Sequence, residues 1–116
     1  MIKPIIITLL FTLTFLSCKT DNENTNHTTT IAFGSCGSQN HDLPIFNNVV
    51  NHDADFFIFL GDNIYGDTKN MDTLKHKYNL LGTKPSYKNL KENTTVLATW
   101  DDHDFGWNDA GKEYAF

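Results

Sequence analysis

Arginine is absent from this chain. Nine lysines face fourteen aspartates and glutamates, for a net charge of −5. No basic cluster interrupts that excess, so the electrostatic footprint of a nucleic-acid binder is missing. Cysteine is scarce: Cys18 and Cys36 are the only two. Cys36 has no partner within the stretch expected to fold, which excludes an internal disulfide there. No apolar run reaches the roughly 20 residues that a membrane-spanning helix needs, and no internal repeat is visible.

The longest apolar run, Ile5 to Leu16, is broken only by threonines and preceded by the single charge of Lys3. It ends at Ser17-Cys18. Its length suits the core of a signal peptide. Cleavage before Cys18 would expose an N-terminal cysteine for lipid attachment, and residues 1–17 resemble bacterial lipoprotein signals in this respect. Phe15 and Leu16 stand where Leu and a small residue are usual. A plain secretion signal and a buried helix are the other readings. Residues 18–30 carry nothing that can build a core and read as a disordered polar tether. The expected organisation is therefore an exported protein of the cell envelope, held to an outer-facing leaflet by a lipid on Cys18 alone. One folded domain would occupy residues 31–116.

Within that domain, Ile31-Ala32-Phe33 is a short strand that stops at Gly34-Ser35-Cys36-Gly37-Ser38. A helix is expected from a cap at Asp42, or the residue before it, through about Asn51. Leu43, Ile45, Phe46, Val49 and Val50 would share one face, with Pro44 in the first turn. Phe56 to Leu60 reads as a second strand. Its unalternating apolar run predicts burial on both faces. Met71 to Leu81 predicts a helix that Gly82 stops, with Leu74, Tyr78 and Leu81 at helical spacing. Pro85 to Asn93 predicts a third helical segment, and Thr95 to Trp100 a third strand. The order β-α-β-α-α-β implies an α/β fold of parallel strands joined by helical crossovers.

Three strand ends would then lie together, and each carries chemistry. The first offers Cys36, the second Asp62 and Tyr65, the third Asp101, Asp102 and His103. Ligands bind at the carboxyl ends of strands in such sheets, and carboxylates there are costly to desolvate without compensation. A thiolate and a phenolate suit a hard, highly charged iron, while clustered carboxylates suit calcium or another divalent ion. Asp62 could bridge two cations, and His103 at the edge could protonate a leaving alkoxide. Taken singly, each residue has a plainer reading. Cys36 could be a small buried hydrophobe, Asp62 a turn residue, Tyr65 a packing aromatic and Asp-Asp-His-Asp a solvated acidic turn.

Phe33-Gly34-Ser35-Cys36, the run from Asp55 through Gly61-Asp62-Asn63-Ile64-Tyr65, and Thr99 through Trp107-Asn108-Asp109 resemble the PhoD-like alkaline phosphatases and phosphodiesterases. The resemblance spans Ile31 to Phe116. It implies the calcineurin-like metallophosphatase fold, a sandwich of two sheets flanked by helices. It also implies hydrolysis of phosphoric esters at a site of iron(III) and calcium or another divalent metal. Cys36 and Tyr65 would be iron ligands, Asp62 the bridge and Asp102 a ligand of the second metal. His103 would be the catalytic histidine, and Asn108 would face the calcium side. The fold also draws ligands from a second half, and no histidine follows His103 here. The chain is thus expected to be an N-terminal, incomplete portion that supplies half the site and is inactive alone. A non-catalytic remnant, or an acidic calcium-binding surface lipoprotein, is the alternative.

Overall fold

A computed structural model describes residues 27–112 and 114. The signal segment 1–17, the lipid site at Cys18 and most of the tether lie outside the described residues. Three parallel strands, β1 (Ile31–Gly34), β2 (Phe56–Leu60) and β3 (Thr95–Thr99), form a sheet in the order β1-β2-β3. Ile31 pairs with Phe56, and Phe56 with Thr95, so the three strands start level. Their carboxyl ends therefore finish together. This small α/β arrangement is the one expected from the alternation of strand and helix patterns.

Helix α1 (Ile45–Asn51) follows β1, and α2 (Met71–Thr83) and α3 (Pro85–Asn93) lie between β2 and β3. Helix α1 starts later than the sequence suggested. Leu43 has a φ of 52°, in the left-handed region, which breaks any helix begun at Asp42. Pro44 is its backbone cap, and Ile45 turns outward while Phe46 and Val49 are buried. Gly82 does not stop α2, which runs on to Thr83. The stop is Pro85, whose ring disfavours helical ψ at the preceding residue; Lys84 accordingly adopts ψ 127°.

The core is an aromatic cluster on one face of β2. Phe46 meets Phe57 and Phe59 edge-on, each at 5.6 Å between ring centres, and Tyr87 of α3 tilts against Phe46. Leu81 and the fully buried Leu90 bring α2 and α3 onto the same cluster. Asn89 of α3 donates to Asn47 of α1, tying the two helices. Parallel connections share one hand, and a sheet ordered 1-2-3 then places both crossovers on one side. Among the described residues β2 is therefore covered on one face, where its sequence predicts two. On the other face Ile31, Phe33, Leu60 and Leu97 are exposed, and Phe56 and Ile58 are only half-buried, among the described residues.

Candidate functional site

The strand ends converge because the ladder continues past them. The Cys36 N–H donates to Gly61 O at 3.3 Å and the Gly37 N–H to Asp62 O at 2.8 Å, so the first two loops leave the sheet side by side. The chain then turns through left-handed conformations at Cys36 (φ 60°), Asp62 (φ 50°) and Asp67 (φ 43°). Such values are uncommon in residues other than glycine and cost about 1–3 kcal/mol each where strained. Gly61, at φ 107°, cannot be replaced easily, since a Cβ there would lie 2.7 Å from that of Asp101. Gly66 is equally confined: a Cβ would lie 2.6 Å from His103 O and from Leu74 Cδ1.

Asp104 locks the second loop to the third. It is 2% exposed and sits in the short helix α4 (Asp102–Phe105). Its Oδ1 accepts from the backbone N–H of Asn63 at 2.9 Å, that of Ile64 at 3.2 Å and the Tyr78 hydroxyl at 3.3 Å. Its Oδ2 accepts from the Asp101 N–H at 2.9 Å, completing a capping box with Asp101. Asn63 adds a bond from Nδ2 to Thr99 O at 2.7 Å. The burial of Tyr78 and the nearby Asp104 carboxylate push the phenol up to about 12, so it stays a donor. The stretch Tyr65-Gly66 is pinned from outside. Buried Gln39 bonds both the N–H and the carbonyl of Tyr65, and the Lys77 ammonium donates to the carbonyls of Tyr65 and Gly66.

Five of the six residues assigned to catalysis or metal binding from the sequence meet in this frame. The Cys36 thiol donates to Asp62 Oδ2 at 3.6 Å. Asp62, Asp102 and His103 each offer one ligand atom, and the three atoms lie within 4.8 Å of one another. The Tyr65 ring packs on the His103 ring, 4.5 Å between centres. The sixth, Asn108, lies in the loop that follows, where its amide donates to Asp109. That loop does reach the site, because the Asp109 N–H donates to Asp102 Oδ2. His103, expected at the edge, offers a ring nitrogen within 4.8 Å of a carboxylate oxygen of each aspartate. Two further residues went unassigned in the sequence. Asp104 was visible there only as part of an acidic run, and its three-residue spacing from Asp101 is the signal of a capping box. Asp67 binds His103 Nδ1 through Oδ1 at 2.6 Å, a contact that no local pattern announces.

The electrostatics favour a positive occupant. Burial pushes the Asp62 carboxyl up, against the pull of His103 and the Cys36 thiol, and Asp102 and Asp101 add to the rise. Burial likewise raises the Tyr65 phenol, with Cys36, Asp62 and Asp67 acting in the same direction. Asp102 moves the other way. A desolvation penalty is outweighed by the backbone N–H groups of Asp109 and His103 and by the imidazole charge. For His103, desolvation pulls down, but the bond to Asp67 and the charges of Asp67, Asp62 and Asp102 prevail and hold it above 6.5. Asp62 Oδ1 is buried without a hydrogen-bond partner. A buried carboxylate oxygen left bare is costly in a protein interior, and a cation between Asp62, Asp102 and His103 would satisfy it. The donor set, two carboxylates and an imidazole with a thiol and a phenol alongside, fits such an ion. Comparison with family models, curated proteins and solved structures gives no match.

Two outcomes follow from this geometry. Asp104→Ala strands several buried donors at once, each worth about 1–3 kcal/mol when unsatisfied. Chemical denaturation should show a loss of at least that size, and a variant as stable as the parent would refute the locking role. The second concerns pH. His103 has a folded pKa above its unfolded value near 6.5, so its ion pair adds stability that is full below about pH 6.5 and fades as pH rises through the folded value. In metal-free protein, His103→Gln should remove that part of the pH–stability curve; an unchanged curve would show that the pair contributes nothing.

Proposed function

We propose that this chain belongs to a metal-dependent hydrolase of phosphoric esters, with Cys36, Asp62, Tyr65, Asp102 and His103 in its site. The observation that carries the reading is the bare, buried Asp62 Oδ1 at the meeting of three strand ends, within reach of Asp102 and His103. It is supported by the motif resemblance to PhoD-like phosphatases and phosphodiesterases, and by the parallel order of the strands that bear those motifs. On this reading the sheet is one layer of a metallophosphatase sandwich. Remaining ligands would come from outside the described residues.

A two-metal centre of iron(III) and calcium, or another divalent ion, supplies an activated hydroxide and neutralises charge on a phosphoryl group when bound. Cys36 and Tyr65 would hold the iron and Asp62 both ions. Asp102 would hold the second, its carboxyl kept ionised by the N–H groups that bind it. His103 has Nδ1 engaged by Asp67, which leaves Nε2 to carry a proton to the departing ester oxygen. The Tyr65 ring packs against the imidazole at a tilt, 4.5 Å between centres.

Metal content and turnover, measured with iron(III) and calcium on a protein that also carries the remaining ligands, test the reading. Asp62→Asn should lose metal and activity together. His103→Ala should keep metal and lose turnover by roughly 10²–10⁴-fold, most with esters of poor leaving groups. Tyr65→Phe should shift or bleach a visible charge-transfer band. A parent protein that takes up no metal would overturn the proposal. Metal uptake without hydrolysis of any ester would favour the acidic calcium-binding alternative.

We also infer export and lipid anchoring through Cys18, from the apolar run that ends there and the polar stretch after it. Cys18→Ala should move the protein out of the membrane fraction on cell fractionation. Retention there with unchanged mobility would rule the anchor out.

A further inference from the structure

We infer that a cleft between β1 and α1, opening beside Cys36, holds the uncharged apolar ester group, aryl or short alkyl, of the phosphoester substrate. The inference rests on the hydrolase reading and names the class of ester that its site would prefer. The cleft has a volume of about 280 Å³. Phe46, Phe57 and Phe59 line it, with Leu43, Ile45 and Val49. Among the described residues no charged side chain does so. Cys36 borders the same cleft and donates its thiol to Asp62 Oδ2 at 3.6 Å. One residue thus adjoins both the cleft and the carboxylates, so a substituent on a phosphate held at the strand ends starts beside the opening.

The plainer reading is a packing gap under a short helix. The way the cleft is kept open argues against it. On the helix side β1 presents only Ala32 and Gly34, since Ile31 and Phe33 are exposed on the other face. The backbone does not require Gly34, because Gly61 is the one glycine with a positive φ among the described residues. Packing does not require it either: a Cβ there would meet only the Phe57 ring, at 3.5 Å, an ordinary contact. A larger residue would bury more apolar surface and stabilise the fold, yet the space is left. Ile45, which borders it, stays more than half exposed. Apolar cavities of this kind take small apolar molecules, and one of about 150 Å³ holds benzene. The volume here suits one substituted ring or a short alkyl chain. A charged headgroup would lose its water there without gaining a partner.

Toluene, added to the full chain without metal, tests the cleft first. Carbon-13 methyl spectra should show saturable shifts at Leu43, Ile45 and Val49. Leu60 and Leu97, on the open face of the sheet, should stay unmoved. Gly34→Leu should abolish the shifts by filling the cleft. Ile45→Asp, a change at an exposed position that the fold tolerates, should weaken them, and amide spectra check that both variants are folded. The second arm uses protein that carries the remaining ligands and is loaded with iron(III) and calcium. Benzyl and ethyl phosphate differ in apolar bulk while both release an alkyl alcohol. The parent should favour the benzyl ester in kcat/KM by about tenfold or more, the scale on which apolar pockets discriminate. Gly34→Leu should cancel that preference. Shifts at Leu43, Ile45 and Val49 no larger than those at Leu60 and Leu97 overturn the inference and leave the hydrolase reading standing. So does a parent without benzyl preference, or a preference that survives Gly34→Leu. Toluene bound in the cleft with neither ester hydrolysed overturns the hydrolase reading, and the ester assignment falls with it.

Discussion

The carboxylate of Asp104 is the contact on which the site's geometry depends. A parallel sheet aligns strand ends but does not dictate the paths of the loops that leave them. In this chain two loops separated by some forty residues must run within hydrogen-bonding distance, and one buried side chain takes the largest share of the bonds between them. Asp104 accepts from the backbone of Asn63 and Ile64 in one loop and of Asp101 in the other. With the acceptor in place, Asp62 is held just before the first donor, and Asp102 and His103 just after the last. Burying a carboxylate is unfavourable unless its lone pairs are filled. Here the requirement makes the device specific, because only one relative placement of the loops fills them.

Much of this was legible in the sequence, for reasons of range. The strands and crossovers follow from apolar runs and helical spacing, which are local signals. Cys36, Asp62, Tyr65, Asp102 and His103 could be assigned together because each lies within a few residues of a strand end, and the strands were expected to be neighbours. Helix α1 starts later than its apolar spacing predicts because Leu43 adopts a left-handed turn that its side chain does not advertise. Helix α2 ends later than Gly82 predicts because the steric effect of Pro85 sets the stop. The single-sided core is a consequence of strand order. An unalternating run such as Phe56 to Leu60 cannot reveal on which side its crossovers pass.

Asp67 and Asp104 mark the limit of such reading. Both act through partners 36 to 41 residues away, and the one local signal, the three-residue spacing of Asp101 and Asp104, announces a helix cap and not the tie to the second loop. Asn108 stands in a loop whose next residue, Asp109, bonds Asp102, and its amide nitrogen donates to that same aspartate, Asp109.

The contrast between Asp104 and Asp62 shows how one fold can use the same side chain for two purposes. Both follow strands, and both lie in the frame that joins the loops. Asp104 is saturated: its oxygens take backbone N–H groups and a tyrosine hydroxyl, and it needs nothing further. Asp62 has only a long contact from the Cys36 thiol on Oδ2, and Oδ1 is buried and bare. Burial and the nearby Asp102 and Asp101 charges raise its pKa, so in isolation the site disfavours the charge it would need to hold a cation. An arriving cation reverses that sign, since it removes both the desolvation penalty and the mutual repulsion. The saturated carboxylate therefore secures the geometry in advance. The unsaturated one keeps its binding capacity for whatever positive charge enters between the strand ends.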